Sequence, residues 1–497
     1  MSVHYNTAEF ETEIHIDPFG FREYDARWLY PDNINLRGVQ LLGQALGTLL
    51  HREDIQPEII TGHDYRSYSM TIKQALIIGL MSAGVKVHDI GLCTTPAAYF
   101  AQFELDCPAV AMVTASHNEN GWTGVKMGAH RPLTFGPELM NKLKEICMKG
   151  DTEIRQGGSY EYHDHIGRNY IADLVQGVAL DRPLKVVTAC GNGTAALYAP
   201  EALRRMGCEV IEQDCELDFT FPHVNPNPED MAMLHRLRGA VLENGADIGF
   251  AFDGDGDRCG VVDETGEEIF ADKMGVLLAR YLSRHHPKAQ FVVDVKSTEL
   301  YKTDPVLQEN EARTDYWITG HSYIKRRVKD IDALAGFEKS GHFFFNAPIG
   351  RGYDDGILSA ITICQMLDEA KDKTMSDLKS SLQNTWSSPT MSPFCADEKK
   401  YDVVRDITQH FRKLYMAQEK ILGRKIREII DVNGVRVVLE DGTWGLIRAS
   451  SNKPCLVVVV ESPTSKQDMH DMFAELDKVL QKYDGIGEYD QKMEIAV

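Results

Sequence analysis

The 497-residue sequence lacks several features that would assign it to common classes of protein. It has no run of about 18 apolar residues, so a membrane-spanning helix is not expected. Residues 1–17 contain no basic stretch followed by an apolar one, so no secretory signal is visible. There is no CxxC pair, and the ten cysteines lie far apart, which favours buried free thiols over disulfides or zinc ligands. These absences predict a cytoplasmic protein with no membrane partner.

Positive charge is also scarce. The chain has 53 lysines and arginines against 74 aspartates and glutamates, a net charge of −21. Such a balance argues against binding to nucleic acid or to an anionic membrane surface. An anionic substrate would therefore need basic groups concentrated in one place. The sequence does not indicate an oligomeric state.

Strands and helices alternate through the first three-quarters of the chain. A strand, helix, capping glycine and strand occur at 58–90 and again at 184–211, and a third strand–helix–strand round spans 291–338. Alternation of this kind predicts parallel or mixed sheets covered by helices. In the last hundred residues, Asn433-Gly434 and Asp441-Gly442 are hairpin signals between β-rich runs. We predict three similar α/β domains with mixed sheets plus a C-terminal α+β domain around a central cleft, at 1–170, 171–275, 276–395 and 396–497.

The segment "VTASHNENGWTGVKMG" at 113–128 is the first candidate functional loop. An apolar run ends at Val113, and small polar residues follow that we expect to present Ser116 on an exposed loop beside His117. Lys126 comes ten residues after the serine. A serine hydroxyl is a weak nucleophile and needs an activating neighbour or a metal to carry a phosphoryl group. The alternative is a polar turn that caps a helix.

The segment "FDGDGDRCG" places Asp253, Asp255 and Asp257 within five residues, between two predicted strands. Three carboxylates so close together repel one another unless a cation lies among them, which predicts a site for a hard divalent ion. Calcium in an EF-hand is the rival, since Glu264 is at the twelfth loop position. However, Arg258 stands at the sixth position, where that loop requires glycine. Magnesium is therefore the preferred ion.

Three further loops contain groups suited to a sugar phosphate. Lys296 and the Gly-His-Ser turn at His321, which opens a helix, could bind an anion, whereas Arg326 and Arg327 fit a solvated helix face. The turn "GFEKSGH" presents Glu338, Ser340 and His342, which suit sugar hydroxyls but also fit an ordinary β-turn. The loop "RASSNKP" offers a guanidinium and donors for a phosphate dianion, or is a polar loop: Arg448, Ser450 and Asn452.

These five loops, in this order, resemble the α-D-phosphohexomutase family, most closely its phosphomannomutase/phosphoglucomutase branch. The similarity extends over nearly the whole chain and includes "FREYDAR" (21–27), "TGHDYRSYS" (61–69) and "TTP" (94–96). The resemblance implies a phosphoserine at Ser116 and transfer between the 1- and 6-positions of mannose or glucose phosphates through a 1,6-bisphosphate. It also implies Mg²⁺ as cofactor and hexose 1,6-bisphosphate as activator.

The resemblance also implies roles for individual residues. Ser116, Asp253, Asp255 and Asp257 would hold the metal. Catalysis would involve Ser116, His117, Lys126, Arg27 and Arg258, with Lys126 the first choice for proton transfer and His117 the second. The substrate would contact Tyr24, Lys296, His321, Glu338, Ser340, His342, Arg448, Ser450 and Asn452.

The sequence departs from the family pattern at two places. Trp28 follows "YDAR" where glycine is usual, and Asn452-Lys453-Pro454 replaces a Thr-Glu-Pro or Thr-Thr-Pro run. These changes leave the serine and aspartate loops intact and bear on substrate preference and affinity. Three alternatives stay open: a phosphoglucosamine mutase, a sugar-bisphosphate synthase or phosphatase on the same fold, and a non-catalytic metal-dependent sugar-phosphate sensor.

Overall fold

A computed structural model describes residues 13–451 and 453–493. Four β-sheets follow one another along the chain, with helices packed on them. The first three sheets are mixed and share one plan, and the fourth is antiparallel. This confirms the predicted architecture of three similar α/β domains and a C-terminal α+β domain. Within 13–451 and 453–493, no helix is long and apolar enough to cross a bilayer.

The first sheet has six strands, and its central strands run parallel. Its elements are β1 (Ala26–Leu29), α1 (Leu36–Arg52), β2 (Glu58–His63), α2 (Ser69–Ser82), β3 (Lys86–Leu92), α3 (Thr95–Glu104), β4 (Ala109–Val113), β5 (Trp122–Gly128), α4 (Pro137–Lys149), β6 (Ser159–Tyr162) and α5 (Ile166–Leu174). The strand order is β1-β5-β4-β2-β3-β6. β2 pairs in parallel with β3 and β4, and β5 returns antiparallel to β4.

The second and third sheets repeat this plan with fewer strands. The second comprises β7 (Lys185–Ala189), α6 (Ala199–Arg205), β8 (Glu209–Gln213), α7 (Met231–Asn244), β9 (Ile248–Phe252), β10 (Cys259–Asp263), β11 (Glu268–Ile269) and α8 (Ala271–His285). The third comprises β12 (Gln290–Asp294), α9 (Leu300–Thr303), α10 (Pro305–Glu309), β13 (Arg313–Trp317), α11 (His321–Asp330), β14 (Ala335–Phe337), β15 (Phe343–Phe345), α12 (Gly356–Glu369) and α13 (Met375–Ser380). Short 3-10 helices lie at Pro18–Gly20 and Thr194–Leu197.

Equivalent turns of the three sheets carry three of the predicted functional loops. In each sheet one strand pairs in parallel with a central strand and then turns back into an antiparallel neighbour. These turns join β4 to β5, β9 to β10 and β14 to β15. They carry Ser116, the three aspartates and the Glu338–His342 turn, respectively. The repeated plan therefore brings three chemically different loops to corresponding positions.

The fourth sheet is antiparallel and packs on the third unit. Its elements are β16 (Trp386–Ser387), α14 (Asp397–Met416), β17 (Lys420–Ile421), β18 (Arg424–Ile430), β19 (Val435–Leu439), β20 (Trp444–Ala449), β21 (Leu456–Ser462) and α15 (Lys466–Leu480). The predicted hairpins at Asn433-Gly434 and Asp441-Gly442 join β18 to β19 and β19 to β20. Arg436 is fully buried and donates to the carbonyl oxygens of Val295 (2.9 Å) and Ser297 (2.6 Å).

Several local predictions are confirmed by the backbone and the core. Gly84 and Gly207, predicted to end helices α2 and α6, have φ values of +80° and +107°, which glycine adopts without a steric penalty. All ten cysteines are free thiols, and nine of them are buried. Trp28 is a core residue of β1 whose Nε1 donates to the carbonyl oxygen of Asp17 (2.8 Å). A Cβ on Gly20 would lie 1.9 Å from its ring, so this departure from the family pattern is accommodated by close packing.

Candidate active site

Ser116 is buried rather than exposed, which corrects the expectation from sequence, whereas Glu119 and Asn120 of the same loop are exposed. Ser116 is 1% exposed and has a φ of +52°. Its backbone N–H donates to Thr114 Oγ1 (2.8 Å), and its carbonyl oxygen accepts from the Arg66 guanidinium (2.9 Å). Arg66 also donates to the carbonyl oxygen of Asn118 (2.6 Å) and pairs with Asp64. Because this arginine comes from the segment after β2, the sequence around the serine gave no sign that the loop is covered.

The aspartate loop lies directly against Ser116. Asp253, Asp255 and Asp257 are all fully buried, and one oxygen from each lies within 4.8 Å of the others. Ser116 Oγ donates to Asp253 Oδ2 (2.9 Å). Asp255 Oδ1 and Asp257 Oδ1 accept no hydrogen bond from any described residue. Buried carboxylate oxygens without a donor are costly unless a cation is nearby, so this cluster could bind a metal ion.

Lys126 of β5 supplies positive charge at the same place. Its ammonium donates to Asp255 Oδ2 (2.7 Å) and pairs with Asp257. Burial acts to lower the pKa of Lys126, but the surrounding carboxylates outweigh it and raise the pKa, so this side chain stays charged. Asp255 also accepts from Thr95 Oγ1 (2.6 Å), at the start of α3 in the "TTP" segment.

His117, Arg27 and Arg258 lie next to the serine. His117 Nδ1 is 3.2 Å from Ser116 Oγ. Burial and the neighbouring charges of Arg258 and Arg27 hold the pKa of His117 well below its usual value, so the ring is neutral. Arg27 donates to Asp25 (2.9 Å) and Asn118 (2.7 Å), and the Arg258 backbone N–H donates to Asp253 (3.2 Å).

A second polar group connects the aspartate loop to the third unit. Arg258 Nε donates to His342 Nε2 (2.9 Å), and His342 Nδ1 is 2.9 Å from Asp354 Oδ2. The ring of His342 stacks on that of His321, with 5.7 Å between centroids. Neither ring nitrogen of His321 has a hydrogen-bond partner among the described residues. Burial is the main cause of the low pKa of His321, which is therefore neutral and could still bind another polar group.

Lys325 and Asp354 were not predicted from sequence. Lys325 is fully buried, lies 2.8 Å from Asp354 Oδ1, and its ammonium is 3.8 Å from the centre of the Tyr99 ring. The run "IKRR" resembles a solvated helix face, and only the four-residue spacing from His321 places Lys325 on the inward side of α11. Asp354 belongs to no motif that would have signalled it.

The turn at Glu338–His342 and Lys296 form one wall of the cleft. Glu338 Oε1 accepts from the Gly320 backbone N–H (2.5 Å), and Ser340 Oγ lies 3.5 Å from Glu338 Oε2. Burial raises the pKa of Glu338. Lys296 Nζ lies 3.7 Å from Asp294 Oδ2. The carboxylate and hydroxyl therefore face the cleft side by side.

The loop after β20 also lines the cleft. Arg448 donates to the carbonyl oxygen of Ala449 (2.9 Å), and its Nε has no partner in the described part of the chain. Burial lowers the pKa of Arg448 and outweighs the opposing effect of Asp294 and Glu338. Ser450 Oγ accepts from the Lys453 backbone N–H (3.2 Å). Asn452, predicted to contact substrate, lies outside the described residues.

A cleft of about 620 Å³ connects these groups. Its lining includes most of the residues predicted for the site: Tyr24, Arg27, His117, Arg258, Lys296, His321, Glu338, Ser340, His342, Arg448 and Ser450. Ser116, Lys126 and the three aspartates lie behind this lining. Lys453, noted from sequence as a departure from the family pattern, and Arg22, which was not predicted for the site, bring the lysines and arginines of the lining to six, against two glutamates. A strongly acidic chain thus has a basic cleft, which suits an anionic ligand.

Comparisons with known proteins give a consistent result along the chain. Family models described as phosphoglucomutase/phosphomannomutase alpha/beta/alpha domains I, II and III match residues 19–153, 161–266 and 270–385, and a model for the C-terminal domain matches 395–479. A phosphomannomutase/phosphoglucomutase from Pseudomonas syringae pv. tomato is 34% identical, covering 90% of this chain and 92% of the relative. A phosphoglucomutase from Neisseria gonorrhoeae is 30% identical, covering 89% and 93%.

A solved structure agrees with these relatives. A phosphoglucomutase/phosphomannomutase family protein from Burkholderia thailandensis superimposes with a TM-score of 0.84 at 28% identity, covering 95% of this chain and 99% of that one. The chain belongs to the phosphoglucomutase/phosphomannomutase family.

Proposed function

We propose that the chain is a phosphohexomutase that interconverts the 1-phosphate and 6-phosphate of mannose, glucose or both, through a phosphoserine at Ser116. The observation that carries this proposal is the contact of Ser116 Oγ with Asp253 (2.9 Å), within a buried aspartate cluster behind a basic cleft. A hydroxyl in contact with a metal-binding carboxylate is suited to hold a phosphoryl group whose charge the cation and Lys126 neutralise.

In the forward direction, the phosphoryl group leaves Ser116 for the 6-hydroxyl of a bound hexose 1-phosphate. The bond between Ser116 Oγ and phosphorus breaks and a bond from the sugar 6-oxygen to phosphorus forms, while the proton of the sugar hydroxyl passes to a base and Ser116 Oγ takes up a proton. The 1,6-bisphosphate then turns around. The bond between its 1-oxygen and phosphorus breaks, the phosphoryl group returns to Ser116 Oγ, the serine proton passes to a base and the 1-oxygen takes up a proton. Hexose 1,6-bisphosphate would also act as activator, because it can load an unphosphorylated serine.

The contacts favour different roles for Lys126 and His117 in the reaction. Lys126 is paired with two carboxylates, and its raised pKa keeps it as an ammonium, which suits charge stabilisation. His117 is neutral, faces the cleft and lies 3.2 Å from Ser116 Oγ, so it can accept a proton there. We therefore prefer His117 as the base and Lys126 as the stabilising charge, which reverses the order of preference from sequence.

The aspartates fit a hard divalent ion such as Mg²⁺, because the donor set is all oxygen and two buried oxygens are without a donor in the described chain. When bound, Mg²⁺ would polarise the phosphoryl oxygens. Arg258 is held against Asp253 and His342, where it can stabilise charge on the transferred group. Glu338 and Ser340 would bind sugar hydroxyls. Arg448 and Ser450, with Asn452, would bind the phosphate that is not being transferred.

A coupled assay tests the proposal. Purified protein would be given glucose 1-phosphate, mannose 1-phosphate or glucosamine 1-phosphate with Mg²⁺ and a trace of hexose 1,6-bisphosphate. We expect turnover of the glucose and mannose substrates, lost in Ser116→Ala and after removal of metal by a chelator. Ser82→Ala, at the end of α2, is the control for a serine-to-alanine change, because its hydroxyl donates to the carbonyl oxygen of Gly79 in the same helix (2.7 Å).

The outcomes separate the alternatives. Turnover of glucosamine 1-phosphate alone would keep the chemistry and change the substrate. Net release of phosphate, or accumulation of bisphosphate, would indicate a phosphatase or a synthase. Absence of turnover with every sugar, in a folded protein that binds Mg²⁺, would refute the mutase proposal.

A further inference from the structure

A cluster of two histidines and a glutamate lies on the first sheet at the edge opposite β1. His88 is in β3, and Glu161, in the edge strand β6, is its register partner. His163 follows β6, where its backbone N–H donates to the carbonyl oxygen of Asp89 (2.8 Å). β3 and β6 are separated from β4, which leads into the serine loop, by β2. None of the three side chains lines the cleft.

Three ligand atoms of this cluster converge in a geometry that suits a metal ion. His88 Nδ1 is 2.9 Å from His163 Nε2, and each of these nitrogens is 3.9 Å from Glu161 Oε2. The point equidistant from the corners of this triangle lies about 2.1 Å from each atom, which is the length of zinc–nitrogen and zinc–oxygen bonds. The Glu161 side chain is 53% exposed, so the solvent side is open for a water ligand.

The surroundings of the two histidines also fit metal ligands. His88 Nε2, the nitrogen that does not face the cluster, lies 3.1 Å from Glu58 Oε2. Such a carboxylate fixes the tautomer and orientation of metal-binding histidines. With Nε2 protonated toward Glu58, His88 Nδ1 accepts a hydrogen bond from the protonated Nε2 of His163. Metal binding would move that proton to His163 Nδ1, and both rings would remain neutral.

We propose that His88, Glu161 and His163 form a site for a divalent transition metal of the zinc class, separate from the aspartate loop. Two imidazoles and one carboxylate favour zinc over magnesium, whereas the all-oxygen aspartate loop favours magnesium. The bound ion would cross-link β6, all of whose residues are exposed, to the buried strand β3. Its expected role is to hold the edge of the first sheet, and turnover does not require it.

The test uses the full chain, freed of metal by a chelator and supplied with excess Mg²⁺ to occupy the aspartate loop. Zn²⁺ is then titrated, and bound zinc is measured by elemental analysis after gel filtration. We expect one zinc per chain and a higher melting temperature. His163→Ala should weaken zinc binding by about tenfold or more and abolish the rise in melting temperature. Co²⁺ should give a visible absorption band in the wild type that His163→Ala lacks.

Controls make the result specific. His235→Ala, an exposed histidine on α7, should bind zinc as the wild type does, and Asp255→Asn should also retain it. Glu161→Gln changes an exposed side chain and carries the test if a histidine variant does not fold. Unchanged zinc binding in a folded His163→Ala, unchanged binding in Glu161→Gln where the histidine variant does not fold, or no zinc binding by the wild type would overturn the proposal.

Discussion

The floor and the rim of the cleft hold charge in different ways. On the floor, formed by Ser116, Lys126 and the three aspartates, charged groups are fully buried and paired mainly with one another. On the rim, formed by Lys296, Glu338, Ser340, Arg448 and Ser450, side chains face the cavity. Among the described residues, Arg448 Nε has no partner, and Lys296 approaches Asp294 only to 3.7 Å.

This difference indicates which kinetic parameter each region controls. Groups that are already paired and fixed lose little freedom when the reaction occurs, so they can stabilise charge that develops in the transition state. Groups with unused donors gain hydrogen bonds when a substrate arrives, so they contribute to binding in the ground state as well. Changes on the floor should therefore lower kcat, and changes on the rim should mainly raise KM.

The largest effect is expected for Asp255→Asn on the floor. The change removes a proposed metal ligand and a partner of Lys126 with almost no change in volume. We expect kcat to fall by about 10²–10³-fold, the usual cost of losing one preorganised electrostatic contact. The coupled mutase assay at saturating Mg²⁺ and substrate measures it.

Asp230→Asn is the matched control for this prediction. Asp230 caps α7 in the same unit by accepting from the Ala232 backbone N–H (2.8 Å), and asparagine caps a helix equally well. Its kcat should equal that of the wild type. A loss in Asp255→Asn that appears only in KM would contradict the assignment of the floor.

The sequence predicted the loops that form the floor and the rim, but not the distant residues that contact them. The serine and aspartate loops each contain several polar or charged residues close together in sequence. Each loop also follows an apolar run that can be recognised as a strand. The contacts that complete them come from distant segments. Arg66 covers the serine loop from the segment after β2, and Asp354 joins His342 and Lys325 across the third unit. Burial of Ser116 and Lys325 depends on tertiary packing, which periodicity within one segment does not report.

The fold was more predictable than the site because it depends on repeated patterns. The strand–helix–glycine–strand pattern at 58–90 corresponds to β2, α2 and β3, and the same pattern at 184–211 corresponds to β7, α6 and β8. What this pattern did not reveal is that the functional turns come from the equivalent antiparallel step of each sheet. That equivalence depends on the pairing of β4 with β5, β9 with β10, and β14 with β15. The position of each pair within its sheet is set by contacts with distant strands, which a local sequence pattern does not report.

A second, smaller effect is expected for Arg448→Lys on the rim. Lysine keeps the charge but loses the planar fork that can contact two phosphate oxygens. We expect KM to rise about 10- to 100-fold with little change in kcat, because a hydrogen bond to a charged group contributes about 1.5–3 kcal/mol. Steady-state kinetics with hexose 1-phosphate separate the two parameters.

Arg424→Lys is the control for the arginine change. Arg424 lies in the same unit and pairs with Asp441 (3.2 Å) and Asp468, away from the cleft. Its KM should stay within about twofold of the wild type, as for most changes of a surface ion pair. If Arg448→Lys instead lowered kcat with KM unchanged, Arg448 would belong functionally with the floor.

A third prediction concerns pH. Burial raises the pKa of Glu338, so this carboxylate becomes protonated at a higher pH than an ordinary glutamate as the pH falls. Protonation converts an acceptor for sugar hydroxyls into a donor. We expect kcat/KM to decrease as the pH falls through the raised pKa, and this acid limb should be absent or shifted to lower pH in Glu338→Gln.

The pH profile sharpens the comparison because the two candidates for proton transfer, Lys126 and His117, should not titrate in the same range. Lys126 stays charged and His117 stays neutral near neutral pH, given the directions of their pKa shifts. Profiles of kcat/KM for wild type and Glu338→Gln, measured in buffers of constant ionic strength, provide the test. An acid limb of unchanged position in Glu338→Gln would assign the titration to another group.

The smallest effect is expected for a contact between units beside the rim. Glu23 of the first unit accepts hydrogen bonds from Tyr323 of α11 and Tyr401 of α14, both at 2.8 Å. This carboxylate therefore connects the first, third and fourth units beside Tyr24. Tyr401 is 53% exposed, so water competes for its hydroxyl, and the net contribution should be about 0.5–1 kcal/mol. Tyr401→Phe should raise KM about two- to fivefold and leave kcat unchanged.

A double-mutant cycle distinguishes this bond from a general change in packing. Tyr401→Phe should have no further effect in a Glu23→Ala background, because the partner is already absent. Tyr415→Phe, another half-exposed tyrosine on α14, is the control and should match the wild type. If Tyr401→Phe has the same effect with and without Glu23, the hydrogen bond does not connect the units during turnover. If the effect disappears, the hydrogen bond to Glu23 accounts for the change in KM, and a contact between units beside the rim contributes to substrate binding.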